Sequence, residues 1–329
     1  MRHPIISIIV PVFNTAQYLA RCIDSLLLQD FNDIEIVCIN DGSTDDSLSI
    51  LEQYEKLDPR IIIVSQKNAG LAAARNAGIS VSKAPYIMFC DSDDWFEHKT
   101  CSTMLGALLK YNVDLAICGV SMIYDVPEEL IMDENEYFRL RFSGREPVTL
   151  SLILQTNVSS CNKIFRRDII DKYQISYPEG FLYEDSFFYD TYMSVSTSIF
   201  FVDSQLYNYY RHPNSIMSGT YRKTKSSIDH LYHAFRLYDF LHDRSIFPEN
   251  SDYFWSRFLE YYEFAILHSN SANQRAVKKA AKRFLRTHKG DIYIAPLKIQ
   301  NDILRMLYFR HWLRLGISWR LHELSLKSV

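Results

Sequence analysis

A chain of 329 residues with 47% hydrophobic and 23% charged residues can bury a substantial core, in one large domain or two modest ones, which excludes a disordered or fibrous protein. Its formal net charge of −3 argues against nucleic acid as the main partner. That sum hides an asymmetry: residues 273–329 hold 13 Lys and Arg against 3 Asp and Glu, so the remainder of the chain is distinctly acidic.

In chain order, the first apolar run, Ile5–Val12, follows Arg2 and His3 and superficially resembles a secretory leader. It is short, Pro4 and Pro11 bracket it, and no small-residue cleavage site follows, so a buried strand explains it better. Ile34–Ile39, Ile61–Val64, Tyr86–Cys90 and Val113–Gly119 are further β-branched-rich runs of the kind covered on both faces of a parallel sheet. Helical patterns separate them. Tyr18, Leu19, Cys22, Ile23, Leu26 and Leu27 line one face; a second helix, capped by Ser43 or Thr44, shows Leu48, Leu51 and Tyr54; Gly70–Ser82 is Ala-rich. This alternation predicts an α/β fold with a doubly wound, mostly parallel sheet.

From about residue 125 the rhythm changes. Residues 125–146 read as a polar surface excursion. Cys161–Arg166, Ser198–Val202 and Leu206–Arg211 read as strands around a helix at Glu184–Ser196, and the chain after Tyr221 reads as almost wholly helical. The pattern divides into a catalytic domain at 1–220, with halves at 1–120 and 121–220, and a basic, aromatic-rich helical region at 221–329. Six cysteines without a C-x-x-C pair fit a reducing compartment. No apolar run is long enough for a spanning helix. The expected location is the cytoplasm, at most on a membrane face.

Ligands of open α/β sheets bind beyond the carboxyl ends of the strands. Pro11, Val12, Phe13 and Asn14 follow the first strand, Asn40-Asp41-Gly42-Ser43-Thr44-Asp45 the second, and Asp91-Ser92-Asp93-Asp94 the fourth. Polar and acidic groups therefore converge on one rim. Asp91-Ser92-Asp93 is the one D-x-D in the chain, and alternate carboxylates at a strand end suit a Mg²⁺ or Mn²⁺ ion that also holds substrate phosphates. Asp41-Gly42-Ser43 serves equally as a turn with a helix cap. Asn68-Ala69-Gly70 can open a helix beside a diphosphate, with Arg75 one turn on; a plain amphipathic helix with Arg75 solvated is the other reading.

The segments SIIVPVFN, INDGSTDDS, KNAGLAAARNAGI and YIMFCDSDDWF resemble, in order and spacing, the nucleotide-binding half of the family-two glycosyltransferases of the GT-A fold. The resemblance covers about the first 120 residues. It implies that Pro11, Val12, Asn14 and Asp41 hold the nucleoside, with Asp41 facing the base. It also implies that Asn68, Gly70, Arg75, Asp91 and Ser92 lie along the nucleotide sugar, and that Asp93, with Asp91, binds Mn²⁺ or Mg²⁺. Tyr183-Glu184-Asp185 resembles the family's acidic pair, which passes the general-base role to Asp185; acids in a first helical turn are favoured on their own account as well. Glu184 and Trp95 are expected beside the acceptor, and Lys163 or Arg211 beside the leaving diphosphate. His212 is a further candidate metal ligand.

Neither G-x-G-x-x-G nor a G-K-[ST] loop occurs, which disfavours dinucleotide and P-loop enzymes. The Q-x-x-R-W motif of processive synthases is missing too, so one sugar per encounter is expected. The resulting expectation is an inverting transfer from a nucleotide diphosphate sugar, UDP-linked by default, to a saccharide or lipid-linked saccharide. A pyrophosphorylase-like enzyme and a non-catalytic sugar-nucleotide-binding protein are the alternatives. Residues 302–324 mix Trp312 and Trp319 with arginines, which suits either an anionic leaflet or simple packing on the catalytic domain.

Overall fold

The structure, a computed structural model, describes residues 3–125, 134–213 and 225–292. Its first part alternates β1 (Ile6–Val12), α1 (Ala16–Leu27), β2 (Ile34–Asn40), α2 (Ser47–Leu57), β3 (Ile61–Ser65), α3 (Leu71–Val81) and β4 (Tyr86–Phe89). Every residue of β1 and β2 is buried, as continuous apolar runs between two helical layers require. Leu19, Cys22, Ile23 and Leu26 form the inward stripe of α1. α2 starts later than expected, with Asp46 at its N-cap and no side-chain cap bond; Asp45 Oδ1 accepts the Ser47 amide, while Ser43 and Thr44 pair with Asn14 instead.

The second part comprises β5 (Trp95–Phe96), α4 (Thr100–Tyr111), β6 (Leu115–Tyr124), α5 (Glu134–Phe138), β7 (Gly144–Pro147), α6 (Leu150–Gln155), β8 (Lys163–Arg166), α7 (Arg167–Tyr173), α8 (Glu184–Met193) and β9 (Ser198–Arg211). The nine strands form one sheet of order β3-β2-β1-β4-β8-β6-β9-β5, with β7 pairing β9 off that path. β1 to β4 are mutually parallel; β8 enters antiparallel between β4 and β6. Where two strands were expected at 198–202 and 206–211, β9 runs unbroken alongside β6, which accommodates it with register shifts at Gly119. The surface excursion at 125–146 includes α5 and the start of β7, which pairs with β9.

After a 3₁₀ turn at Lys225–Ile228, the last described elements are α9 (Asp229–Asp243), α10 (Phe247–Leu267), α11 (Ser271–Thr287) and α12 (Lys289–Ile292). No helix among the described residues is long and apolar enough to cross a membrane. Residues 302–324 lie outside the described residues.

Candidate active site

The strand ends are tied to one another before any ligand is considered. Asn14, at φ 53°, accepts the Thr44 amide on Oδ1 at 2.8 Å, and its own amide donates to Ser43 Oγ at 3.1 Å. Thr15 Oγ1 donates to Ser92 Oγ at 2.9 Å, linking the ends of β1 and β4. Asp41 Oδ1 accepts Gln66 Nε2 at 2.7 Å and the Ala69 amide at 2.9 Å, and Oδ2 accepts the Gly70 amide at 2.9 Å. This carboxylate thereby fastens the loop that opens α3. Gly42 turns into that loop at φ +73°, and a Cβ there would meet the Asn68 amide nitrogen at 2.8 Å. Asn68 and Gly70 are exposed on the same rim.

Arg75 is the centre of the arrangement. The residue is 1% exposed; NH1 donates to Glu184 Oε1 at 2.9 Å and Asp185 Oδ1 at 2.7 Å, and NH2 to Asp91 Oδ1 at 2.9 Å. The D-x-D and the Glu184-Asp185 pair, almost a hundred residues apart in sequence, thus share one buried cation. Burial opposes the Arg75 charge, but Asp185 and Asp91 outweigh it and hold the group well above its ordinary pKa. One positive charge among three carboxylates leaves an excess of negative charge. Glu184 absorbs it: burial, and then the nearby Asp185 charge, push its pKa up to about 7 against the opposing pull of Arg75.

Asp185 is held asymmetrically. Oδ1 takes both Arg75 and the Ser160 hydroxyl, at 2.9 Å, and Tyr177 OH donates onward to Ser160 Oγ at 2.7 Å. Among the described residues, Oδ2 has only a long 3.4 Å contact from the Ser160 amide. Its second oxygen is therefore the less engaged of the two. Ser160 and Tyr177 escape sequence reading, because single polar residues in a loop carry no spacing signature.

Asp93 faces His212, with Oδ2 to Nε2 at 3.0 Å. Burial, followed by repulsion from Asp91, raises the Asp93 pKa, while His212 pulls the other way. Arg21, from α1, donates to the Asp93 carbonyl at 2.8 Å and lies over the rings of Trp95 (3.9 Å) and Tyr210 (4.2 Å). Trp95 is thereby placed at the D-x-D as a wall for that arginine. Asp94 turns away, its buried carboxylate accepting the Tyr210 amide at 2.7 Å and the Tyr207 hydroxyl.

Other expected site residues sit differently. Lys163 does not reach the rim: it is 0% exposed, and Nζ donates to Asn157 Oδ1, Asn162 Oδ1 and the Ser159 carbonyl. Burial brings its pKa down to about 7. An ammonium so enclosed cannot meet a departing diphosphate. Pro11 and Val12 are buried strand residues, so only the β1 backbone reaches the rim; the Val12 carbonyl accepts the Asp41 amide at 2.8 Å. Glu184 is largely enclosed, its carboxylate paired with Arg75 at 2.9 Å. Arg211 ends β9, next to His212, and is buried.

The mostly parallel sheet thus carries at its rim a D-x-D bridged through Arg75 to a distant acidic pair. The chain belongs to glycosyl transferase family 2, whose sequence profile matches residues 7–174. It is 34% identical over 236 residues to EpsH of Bacillus subtilis (strain 168), a glycosyltransferase by name. That match takes in 68% of this chain and 65% of EpsH, so the chain spans a little under two thirds of this relative. Among solved structures, the fold is similar to S. aureus TarS 1–349 in complex with UDP (TM-score 0.65, 19% identity, 92% of this chain and 86% of that one). It is also similar to the mannosyltransferase PcManGT of Pyrobaculum calidifontis in complex with GDP-Man and Mn²⁺ (TM-score 0.53, 15% identity, 94% and 89%). The expected GT-A architecture is thus the observed one.

Proposed function

We propose that the protein transfers a single sugar, with inversion, from a nucleotide diphosphate sugar to a hydroxyl of a saccharide or lipid-linked saccharide in surface polysaccharide synthesis. The observation that carries this reading is the Arg75 bridge, which draws Asp91 of the D-x-D and Asp185 to a single guanidinium. The nucleoside would lie over Asn14 and Asp41, and the diphosphate near Asn68, Gly70 and the D-x-D. Fold neighbours solved with UDP and with GDP-Man and Mn²⁺ support a nucleotide-sugar donor. UDP is the default nucleotide.

Among the described residues no group of three or more His, Cys, Asp or Glu side chains is arranged around a metal. Asp93 fits a shared site: its carboxylate and His212 Nε2 are adjacent, and the nearby Asp91 charge that raises its pKa is what a cation relieves. Asp93, with Asp91 or His212, would hold Mg²⁺ or Mn²⁺, the remaining ligands being phosphate oxygens and water. Such an ion stabilises charge on the departing diphosphate.

Asp185 Oδ2 takes the proton of the acceptor hydroxyl as its oxygen bonds to the anomeric carbon and the bond to the diphosphate breaks. Approach opposite the leaving group inverts that carbon, as in inverting glycoside hydrolysis. Arg75 and Ser160 hold Oδ1 and so keep Oδ2 directed outward. Asp185→Asn should bind donor normally yet transfer ~10²–10⁴-fold more slowly. Wild-type turnover in that variant would remove Asp185 from the mechanism. Peripheral contact with an anionic membrane through residues 302–324 completes the reading.

A further inference from the structure

The helix bearing Glu184 and Asp185 is gripped from the C-terminal side by contacts the mechanism above does not use. Leu182 donates its amide to Asp229 Oδ2 at 3.1 Å, and its carbonyl accepts from His233 Nε2 at 2.7 Å. Because a carbonyl only accepts, Nε2 carries the proton. Burial pulls the His233 pKa down to about 4, so this donor is a neutral imidazole through the physiological range. One residue on, the Tyr183 ring stacks on His230, with centroids 4.0 Å apart and planes 21° apart. Asp229, His230 and His233 all belong to the first turns of α9.

Two features separate these contacts from ordinary packing. Tyr183 sits at φ 61°, ψ 34°, a left-handed conformation that an aromatic residue keeps only where its surroundings impose it. Both polar groups of the Leu182 backbone are bonded to α9, so the segment entering α8 is directed at two points one residue before that turn. Further along α8, Asp190 is 1% exposed and accepts from Tyr253 OH and Tyr261 OH, each at 2.5 Å, and from Arg257 Nε at 3.0 Å, all on α10. The helix is thus fixed at its middle by α10 and at its entry by α9.

We propose that Asp229 and His233 are positioning residues for the transfer. By holding both backbone polar groups of Leu182, they impose the left-handed turn at Tyr183 and aim the Asp185 carboxylate at the acceptor. The proposal rests on Asp185 as general base, and its test keeps the two apart.

His233→Leu, His233→Gln and Asp229→Ala are made alone, and His233→Leu also in the Asp185→Asn background. Transfer rate, donor Kd by calorimetry and Tm are measured on the full chain. His233→Leu and Asp229→Ala should each lower kcat by about 10- to 100-fold, the scale of a slightly misplaced catalytic group, with donor Kd changed less than about twofold. His233→Gln, which retains an N–H donor, should recover most of the rate. With Asp185 already replaced, adding His233→Leu should alter the residual rate by less than about twofold, because aiming a missing base has no effect. The proposal is overturned if His233→Leu transfers at the wild-type rate while Asp185→Asn does not, or if its loss is undiminished in the Asp185→Asn background. Should His233→Leu fail to fold, Asp229→Ala alone and with Asp185→Asn carries the same comparison. Full activity of Asp185→Asn by itself would instead remove the base assignment, and the positioning role with it.

Discussion

Glu184 is the residue through which the crowded charge around Arg75 becomes measurable. Its folded-state pKa is raised from 4.5 to about 7, so the native protein binds this proton more tightly than the unfolded chain does. Stability from this group is therefore greatest below about pH 4.5 and is lost as pH rises through about 7. Glu184→Gln removes the ionisation. Its Tm relative to wild type should climb as pH increases across that window, and a difference independent of pH would contradict the raised pKa. Asp93 supplies a second test. Asp93→Ala should abolish metal-dependent donor binding in calorimetry, with any metal-independent binding retained; unchanged Mn²⁺ dependence would exclude it as a ligand. Much of this site was readable in advance. Asp91, Asp93, Glu184 and Asp185 stand in motifs at fixed spacing, and Arg75 lies one turn into a helix whose start was recognisable. Lys163 was misjudged because sequence gives a charge but not its burial, and the Asn157 to Ser159 loop that encloses it has no local pattern.

Among the elements, α3 depends on a close approach to β1. A Cβ at Gly78 would lie 2.3 Å from Ile9 Cγ2, inside the fully buried central strand. Two effects compete in Gly78→Ala. Ala gains about 1 kcal/mol in helix propensity, whereas overpacking typically costs about 1–3 kcal/mol. Ile9 is β-branched and enclosed, so overpacking should win. We expect a lower denaturation midpoint and, because Arg75 rides on the same helix, weaker coupling between Asp91 and Asp185. A stabilised Gly78→Ala would contradict the contact. β1 to β4 and β6 were evident from their continuous apolar runs, whereas the two-residue β5 at Trp95–Phe96 is too short to leave such a mark. β8 was visible as a strand but not as an antiparallel insertion, because its partners β4 and β6 are chosen by tertiary packing. The unbroken β9 was likewise hidden, because its polar stretch Asp203-Ser204-Gln205 reads as a loop until its pairing to β6 is known.

Over the whole molecule, charge separates along the chain, and α11 gives that separation a structural face. Val277, Ala281 and Leu285 turn inward, while the helix carries Arg275, Lys278, Lys279, Lys282, Arg283 and Arg286 without an Asp or Glu. Cations near an anionic leaflet contribute about 1 kcal/mol each. The full chain should therefore co-sediment with vesicles containing anionic lipid at low salt and be released as ionic strength rises. Lys279→Glu with Arg283→Glu and Arg286→Glu should weaken that binding and leave donor affinity unchanged; absence of sedimentation at low salt would dismiss the membrane. The sheet has a different consequence. Because β8 is stitched between β4 and β6, the strands β1 to β4 and those from β6 onward share one continuous ladder. A chimaera joined near residue 120 would cut through β6 and leave its bonds to β8 and β9 to be remade by an unfamiliar partner. New acceptor preferences should be graftable through surface loops at the rim, and seldom by exchanging halves.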